Sequence, residues 1–137
     1  MVYIIGAGPG DPELITVKGQ RLLKEADVII YAGSLVNPAL LDYAKADCEI
    51  YNSASMTLGE VIETITAAEQ EGKMTVRLHT GDPAIYGAIQ EQMDELSRRN
   101  IEYTVIPGVS SFLATAAALK QEYTLPEISQ TVIITQQ

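Results

Sequence analysis

Five short apolar runs punctuate the chain, and the stretches between them are amphipathic. Val2–Ile5, Val28–Tyr31, Cys48–Tyr51, Thr75–His79 and Tyr103–Ile106 have the length and apolar content of strands, the third most weakly. Val2–Ile5 runs without polar interruption into Gly6, the pattern of a parallel strand buried on both faces. After the first run, Thr16 is placed to cap a helix whose Gly19, Leu22, Leu23 and Ala26 share one face. Asn37-Pro38 supplies a cap followed by proline at the first helical position and opens a short helix through Leu40, Leu41 and Ala44. Thr57 and Glu60 form a capping box ahead of Leu58, Val61, Ile62, Ile65 and Ala68, and Gly72 is the stop. A further helix is predicted from about Ala84, carrying Ile85, Ile89, Met93 and Leu96 and ending at Asn100. Ser110 or Ser111 opens a last, alanine-rich helix to about Leu119.

Strand and helix alternate five times with short connections, which specifies an α/β domain with a mostly parallel sheet and helices on both faces. Thr131–Thr135 is one more strand-like run with almost nothing after it. It is expected either to mark a truncated chain or to open a second domain.

Composition narrows the possible functions. A chain of 137 residues with a 47% hydrophobic fraction fits one globular domain. The formal charge of −9, with basic residues spread out rather than massed, argues against nucleic acid as the main partner. An anionic small ligand would therefore need local basic groups. The single cysteine, Cys48, excludes an internal disulfide and a cysteine-rich metal site, and reads as a small buried hydrophobe. No apolar run approaches the ~20 residues of a membrane span and no basic leader precedes the first strand, so a soluble cytoplasmic protein without membrane partners is expected.

Candidate chemistry lies in three loops that follow strands: Gly6-Ala-Gly-Pro-Gly-Asp-Pro12, Thr80-Gly-Asp-Pro83 and Pro107-Gly-Val-Ser-Ser111. Ligands of open parallel sheets bind outside the carboxyl ends of the strands, and glycine lets backbone approach a ligand closely. Any one of these loops is also explained as a tight strand-to-helix turn; three on one rim are harder to explain that way. A dinucleotide fingerprint fails in the first loop. Gly6 and Gly8 fit, but Asp11 holds the third glycine position, Pro9 and Pro12 delay the helix, and Tyr31-Ala-Gly33 brings no acid to the ribose. A Walker loop fails for want of Gly-Lys-Ser/Thr. His79, alone beside the second loop, reads first as a hydrogen-bonded structural residue. Asp11 and Asp82 read as loop caps as readily as ligand contacts.

The runs Gly6-Ala-Gly-Pro-Gly-Asp-Pro-Glu-Leu-Ile-Thr16, Gly81-Asp-Pro-Ala-Ile-Tyr-Gly87 and Ile106-Pro-Gly-Val-Ser-Ser111 resemble, in order and spacing, three signatures of the tetrapyrrole methylase family. Tyr31-Ala-Gly-Ser-Leu-Val36 and Leu125-Pro-Glu-Ile-Ser-Gln-Thr131 are most similar to its precorrin-4 C11-methyltransferase branch. The resemblance implies a two-domain homodimer whose first domain, here residues 1–124, holds a five-stranded parallel sheet in the order 3-2-4-1-5. Residues 125–137 would then begin a truncated second domain. It further implies an S-adenosyl-L-methionine cofactor in the trough between domains, with contacts carried over by position to Pro9, Thr80, Gly81, Asp82, Ile85, Ser110 and Ser111. The implied reaction moves a methyl group from the sulfonium to a carbon of a tetrapyrrole in cobalamin biosynthesis, C11 of precorrin-4 or cobalt-precorrin-4.

Such chemistry needs alignment and exclusion of water more than an acid–base set, and none is evident. The sister uroporphyrinogen-III methyltransferases carry an aspartate after strand two. Ala32 stands at that position here, so their proposed base does not carry over. Tyr31, Ser34 and Arg77 are the candidates for the substrate side; no catalytic residue is assigned, and little activity is expected of a fragment. The alternatives are a diphthine synthase or ribosomal RNA methyltransferase of the same superfamily, or a non-catalytic nucleotide-binding or interaction module.

Overall fold

A computed structural model describes residues 1–136. Its centre is a parallel sheet of five strands: β1 (Val2–Gly6), β2 (Val28–Tyr31), β3 (Glu49–Asn52), β4 (Thr75–His79) and β5 (Tyr103–Ile106). The order is β3-β2-β4-β1-β5, as the family resemblance implies. β4 pairs with both β1 and β2, in a register that sets Gly6 beside His79 and Tyr31 beside Leu78. The loops after β4, β1 and β5 thereby become neighbours.

Alternation along the strands divides the core in two. Ile5, Ile29, Val76, Leu78 and Ile106 pack with Leu22 and Leu23 from α1 (Val17–Glu25), with Ala26 at its C-terminal cap and with Leu40. Val2, Val28 and Ile30 pack on the other side with Val61, Ile62 and Ile65 from α2 (Leu58–Gln70) and Leu96 from α3 (Ile89–Arg98). The fourth helix, α4 (Ser111–Leu119), follows β5. Each fully buried side chain of this kind contributes roughly 1.5–3 kcal/mol, so the two layers together hold the sheet that carries the loops.

The capping signals act as read. Thr16 Oγ1 accepts from Gly19 N at 2.9 Å, and Thr57 Oγ1 accepts from Glu60 N at 3.1 Å while Glu60 reaches back to Thr57 N. Asn37 Oδ1 accepts from Ala39 N at 2.9 Å, and its amide donates to the Gly10 carbonyl at 2.7 Å, which ties the first loop down. The helix it opens, Pro38–Tyr43, is a 3-10 helix.

Three expectations need correction. β3 lies one residue later than expected, at Glu49–Asn52. α3 begins at Ile89 rather than near Ala84, because Tyr86 and Ala88 take left-handed φ values of 56° and 52°, which a continuous helix forbids. The tight turn also needs Gly87, where a β-carbon would sit 2.1 Å from the Pro83 carbonyl oxygen. Residues 131–136 form no strand, and Ile133 is 79% exposed: a strand needs a partner edge, and none meets this segment among the described residues.

Candidate functional site

At the carboxyl ends of β4, β1 and β5 the three glycine-bearing loops are joined to one another. Gly8 and Gly81 exchange backbone hydrogen bonds, Gly8 N to Gly81 O at 3.2 Å and Gly81 N to Gly8 O at 2.8 Å, and Ala7 N donates to His79 O at 2.6 Å. Contact between loops is so close that a β-carbon on Gly6 would stand 2.5 Å from Gly81 O, and one on Gly108 only 2.2 Å from the same atom. These glycines are thus required by each other. Asp82 completes the junction, accepting from Ala84 N at 2.8 Å through Oδ1 and from Gly108 N at 3.0 Å through Oδ2.

Of the joined loops, those after β4 and β5, together with Ala32 and Leu35 after β2, wall a cleft of about 400 Å³. Of the cofactor contacts expected from sequence, Thr80, Gly81, Asp82, Ile85, Ser110 and Ser111 all line it, whereas Pro9 lies outside its lining in the adjoining first loop. Ile85 reaches the cleft from the left-handed turn rather than from a helix, and is 38% exposed. Ser110 is buried at the N-cap of α4, where its side chain makes no capping bond. Thr80 Oγ1 is a buried polar atom without a hydrogen-bond partner, which costs on the order of 1–3 kcal/mol until something fills it. An unpartnered hydroxyl, backbone donors and a small polar-and-apolar rim suit an amphipathic ligand with hydrogen-bonding groups.

Sequence reasoning undervalued the floor of the cleft. Arg77 and His79 project from β4 and Gln92 from α3, all three nearly buried and all lining it. Arg77 Nε donates to Gln92 Oε1 at 3.0 Å, and the Gln92 amide lies 3.4 Å from His79 Nε2. Burial first, then the neighbouring Arg77 charge, pushes the His79 pKa down to about 4, so its ring is neutral near pH 7. Burial lowers Arg77 to about 10, which leaves it cationic. The signal was present in Thr75-Val-Arg-Leu-His79, where polar and apolar residues alternate in a central strand, and in Gln92 between Ile89 and Leu96 on an apolar helix face. Of the other two substrate-side candidates, neither Tyr31 nor Ser34 lines this cleft, although Ala32 and Leu35 from the same loop do.

Known proteins are similar to this chain in sequence and fold. The family model described as Tetrapyrrole (Corrin/Porphyrin) Methylases matches residues 1–137. The chain is 65% identical over 134 residues to a cobalt-precorrin-4 C(11)-methyltransferase of Methanocaldococcus jannaschii and 51% identical to a precorrin-4 C(11)-methyltransferase of Pseudomonas aeruginosa. It is covered to 98% in both cases and spans 52% and 53% of those relatives. The solved structure of a cobalt precorrin-4 methyltransferase, a cobalamin biosynthetic enzyme, superposes with a TM-score of 0.94 at 53% identity, over 96% of this chain and 55% of that one. A uroporphyrin-III C-methyltransferase from Thermus thermophilus, solved with S-adenosyl homocysteine, gives a TM-score of 0.78 at 34% identity, over 95% of this chain and 52% of that one. The chain therefore spans about half the length of these relatives, and with its matched family model, sheet order and joined loops it belongs to the tetrapyrrole methylase family.

Proposed function

We propose that this chain forms the S-adenosyl-L-methionine-binding part of a methyltransferase acting on C11 of precorrin-4 or cobalt-precorrin-4 in cobalamin biosynthesis. The observation that carries the proposal is the cleft lined by the loops after β4 and β5, which the first loop braces, with the unpartnered Thr80 hydroxyl buried in its wall. Relatives named for that reaction, at 65% and 51% identity, support the choice of substrate.

The residues fit the cofactor. Thr80 Oγ1 and the Ser110 hydroxyl would bond its polar groups. The amides of Ser111 and Phe112 open the first turn of α4 without an intrahelical acceptor, and that of Ser111, which lines the cleft, would serve as a donor to the ligand. Gly81 and Ile85 would pack against its apolar parts, with Pro9 at the edge. Asp82 is engaged through both oxygens and would shape the wall rather than act as a base. The bound cofactor supplies an electrophilic sulfonium methyl. What the chain must do is hold that group against the acceptor carbon and keep water out.

The same proposal includes a second domain beginning within residues 125–137, a homodimer and a cytoplasmic setting. The half-length match and the exposed apolar residues Ile128 and Ile133 support the second domain. Residues 1–137 without that second wall are expected to transfer methyl groups slowly or not at all.

Calorimetric titration with S-adenosylhomocysteine, with NADH as control, tests the cofactor assignment. Binding of the homocysteine analogue alone is expected. NADH binding alone would point instead to a nucleotide-binding module. Methyl transfer assayed on precorrin-4, uroporphyrinogen III and ribosomal RNA then separates the substrate classes.

A further inference from the structure

β4 is the middle strand of the sheet, and alternation sends Val76 and Leu78 to the α1 side and Thr75, Arg77 and His79 to the α2–α3 side. A guanidinium in that position is unusual. Arg77 is 6% exposed, and its bonds go to neutral acceptors: Nε to Gln92 Oε1 at 3.0 Å and Nη1 to the Ile30 carbonyl at 3.2 Å. None of the ion pairs among the described residues includes it, although the chain carries twice as many acidic as basic residues. A buried cation without a counter-ion is costly, and a purely structural bridge between β2, β4 and α3 could be made without a charge. Nη2 has no partner among the described residues, and Arg77 lines the cleft.

We propose that Arg77 is the anion-receiving residue of this cleft, its free Nη2 edge taking a carboxylate of the bound ligand while Gln92 fixes the plane of the guanidinium. A planar fork, held on one side and open on the other, matches a carboxylate and not a diffuse negative surface. His79 stays neutral beyond Gln92 and adds no competing cation. For the nature of the ligand the inference rests on the proposed function, under which two carboxylates are available: those at the periphery of an acidic tetrapyrrole and the one on the amino-acid portion of the methyl donor.

The test measures dissociation constants of three probes with the purified protein: S-adenosylhomocysteine, its decarboxylated analogue, and uroporphyrin III as a stable polycarboxylate tetrapyrrole. With Arg77→Met, a loss of about tenfold or more for uroporphyrin III, with both adenosyl probes unchanged, assigns the substrate carboxylate. The same loss confined to S-adenosylhomocysteine assigns the donor carboxylate. Equal losses for all three probes, or none, overturn the inference.

Should Arg77→Met fail to fold, Gln92→Glu gives the answer by another route. It sets an internal carboxylate against the guanidinium and is expected to raise the melting temperature while weakening the carboxylate-bearing probe. Unchanged affinity in that variant overturns the inference. If the wild-type protein binds no probe, the proposed function itself fails; if it binds them and the variants bind equally well, only the role of Arg77 does.

Discussion

Asp82 reaches across from the loop after β4 and accepts a hydrogen bond from the Gly108 amide at 3.0 Å, joining it to the loop after β5. Its other oxygen holds Ala84 N at 2.8 Å, so one side chain sets the shape of its own turn and its distance from the neighbouring one. The site is held by links of this kind between loops, and most of what can be tested follows from them.

Replacing Asp82 by alanine removes both acceptors and leaves the Gly108 amide without its partner. Hydrogen bonds to a charged group contribute about 1.5–3 kcal/mol each. The variant should lose on the order of 2–3 kcal/mol in urea unfolding and bind S-adenosylhomocysteine more weakly. Full stability with lost binding would make Asp82 a ligand contact instead.

Gly108 and Gly59 offer a controlled comparison. A β-carbon at Gly108 would lie 2.2 Å from the Gly81 carbonyl oxygen and 2.8 Å from Gly6 Cα, backbone atoms that cannot move aside singly. Gly108→Ala should cost about 1–3 kcal/mol or more from overpacking. Gly59 stands in the first turn of α2 with only Thr57 Oγ1 near its β-carbon position, at 3.8 Å, so Gly59→Ala should be neutral or stabilise by ~0.5–1 kcal/mol. Thermal melts of the two variants decide it.

Thr80→Val removes an unpartnered buried hydroxyl and keeps the shape of the side chain. The free protein should melt at the same or a higher temperature, because no hydrogen bond is lost. Affinity for S-adenosylhomocysteine should fall by about tenfold, the worth of one hydrogen bond at a desolvated site. A lower melting temperature with unchanged affinity would show that the hydroxyl serves the fold.

His79 gives the fold an acid sensitivity of definite sign. Its pKa drops from 6.5 to about 4 on burial beside Arg77, so the unfolded chain takes up the proton first. The stability that depends on the neutral ring is present above pH 6.5 and is lost as the pH falls toward 4. Between pH 7 and 5 the wild type should lose about 2 kcal/mol more than His79→Gln in urea unfolding. Equal losses would show that the buried ring does not set the acid sensitivity in this range; Asp27, whose carboxylate is held below its ordinary range chiefly by its bond to Lys45, contributes only at lower pH, where it takes up its proton.

The order of strands and helices was legible in the sequence because its causes are local. Thr16, Asn37 and Thr57 cap the turns that follow them wherever those turns sit, and the apolar runs of β1 and β2 have no alternative to burial. The glycine loops were legible as candidates for the same reason. Tertiary structure alone decided what depends on distant neighbours. Left-handed backbone at Tyr86 and Ala88 overrides a helical pattern beginning at Ala84, since Gly87 must pass against Pro83. Thr131–Thr135 has strand composition and no strand partner among the described residues. Arg77, His79 and Gln92 stand up to fifteen residues apart in the chain and meet only because β4 lies at the centre of the sheet with α3 across its face. Sequence determines which side chains are polar; only packing determines which of them are sealed from water together, and there their charges and unfilled hydrogen bonds acquire their effect.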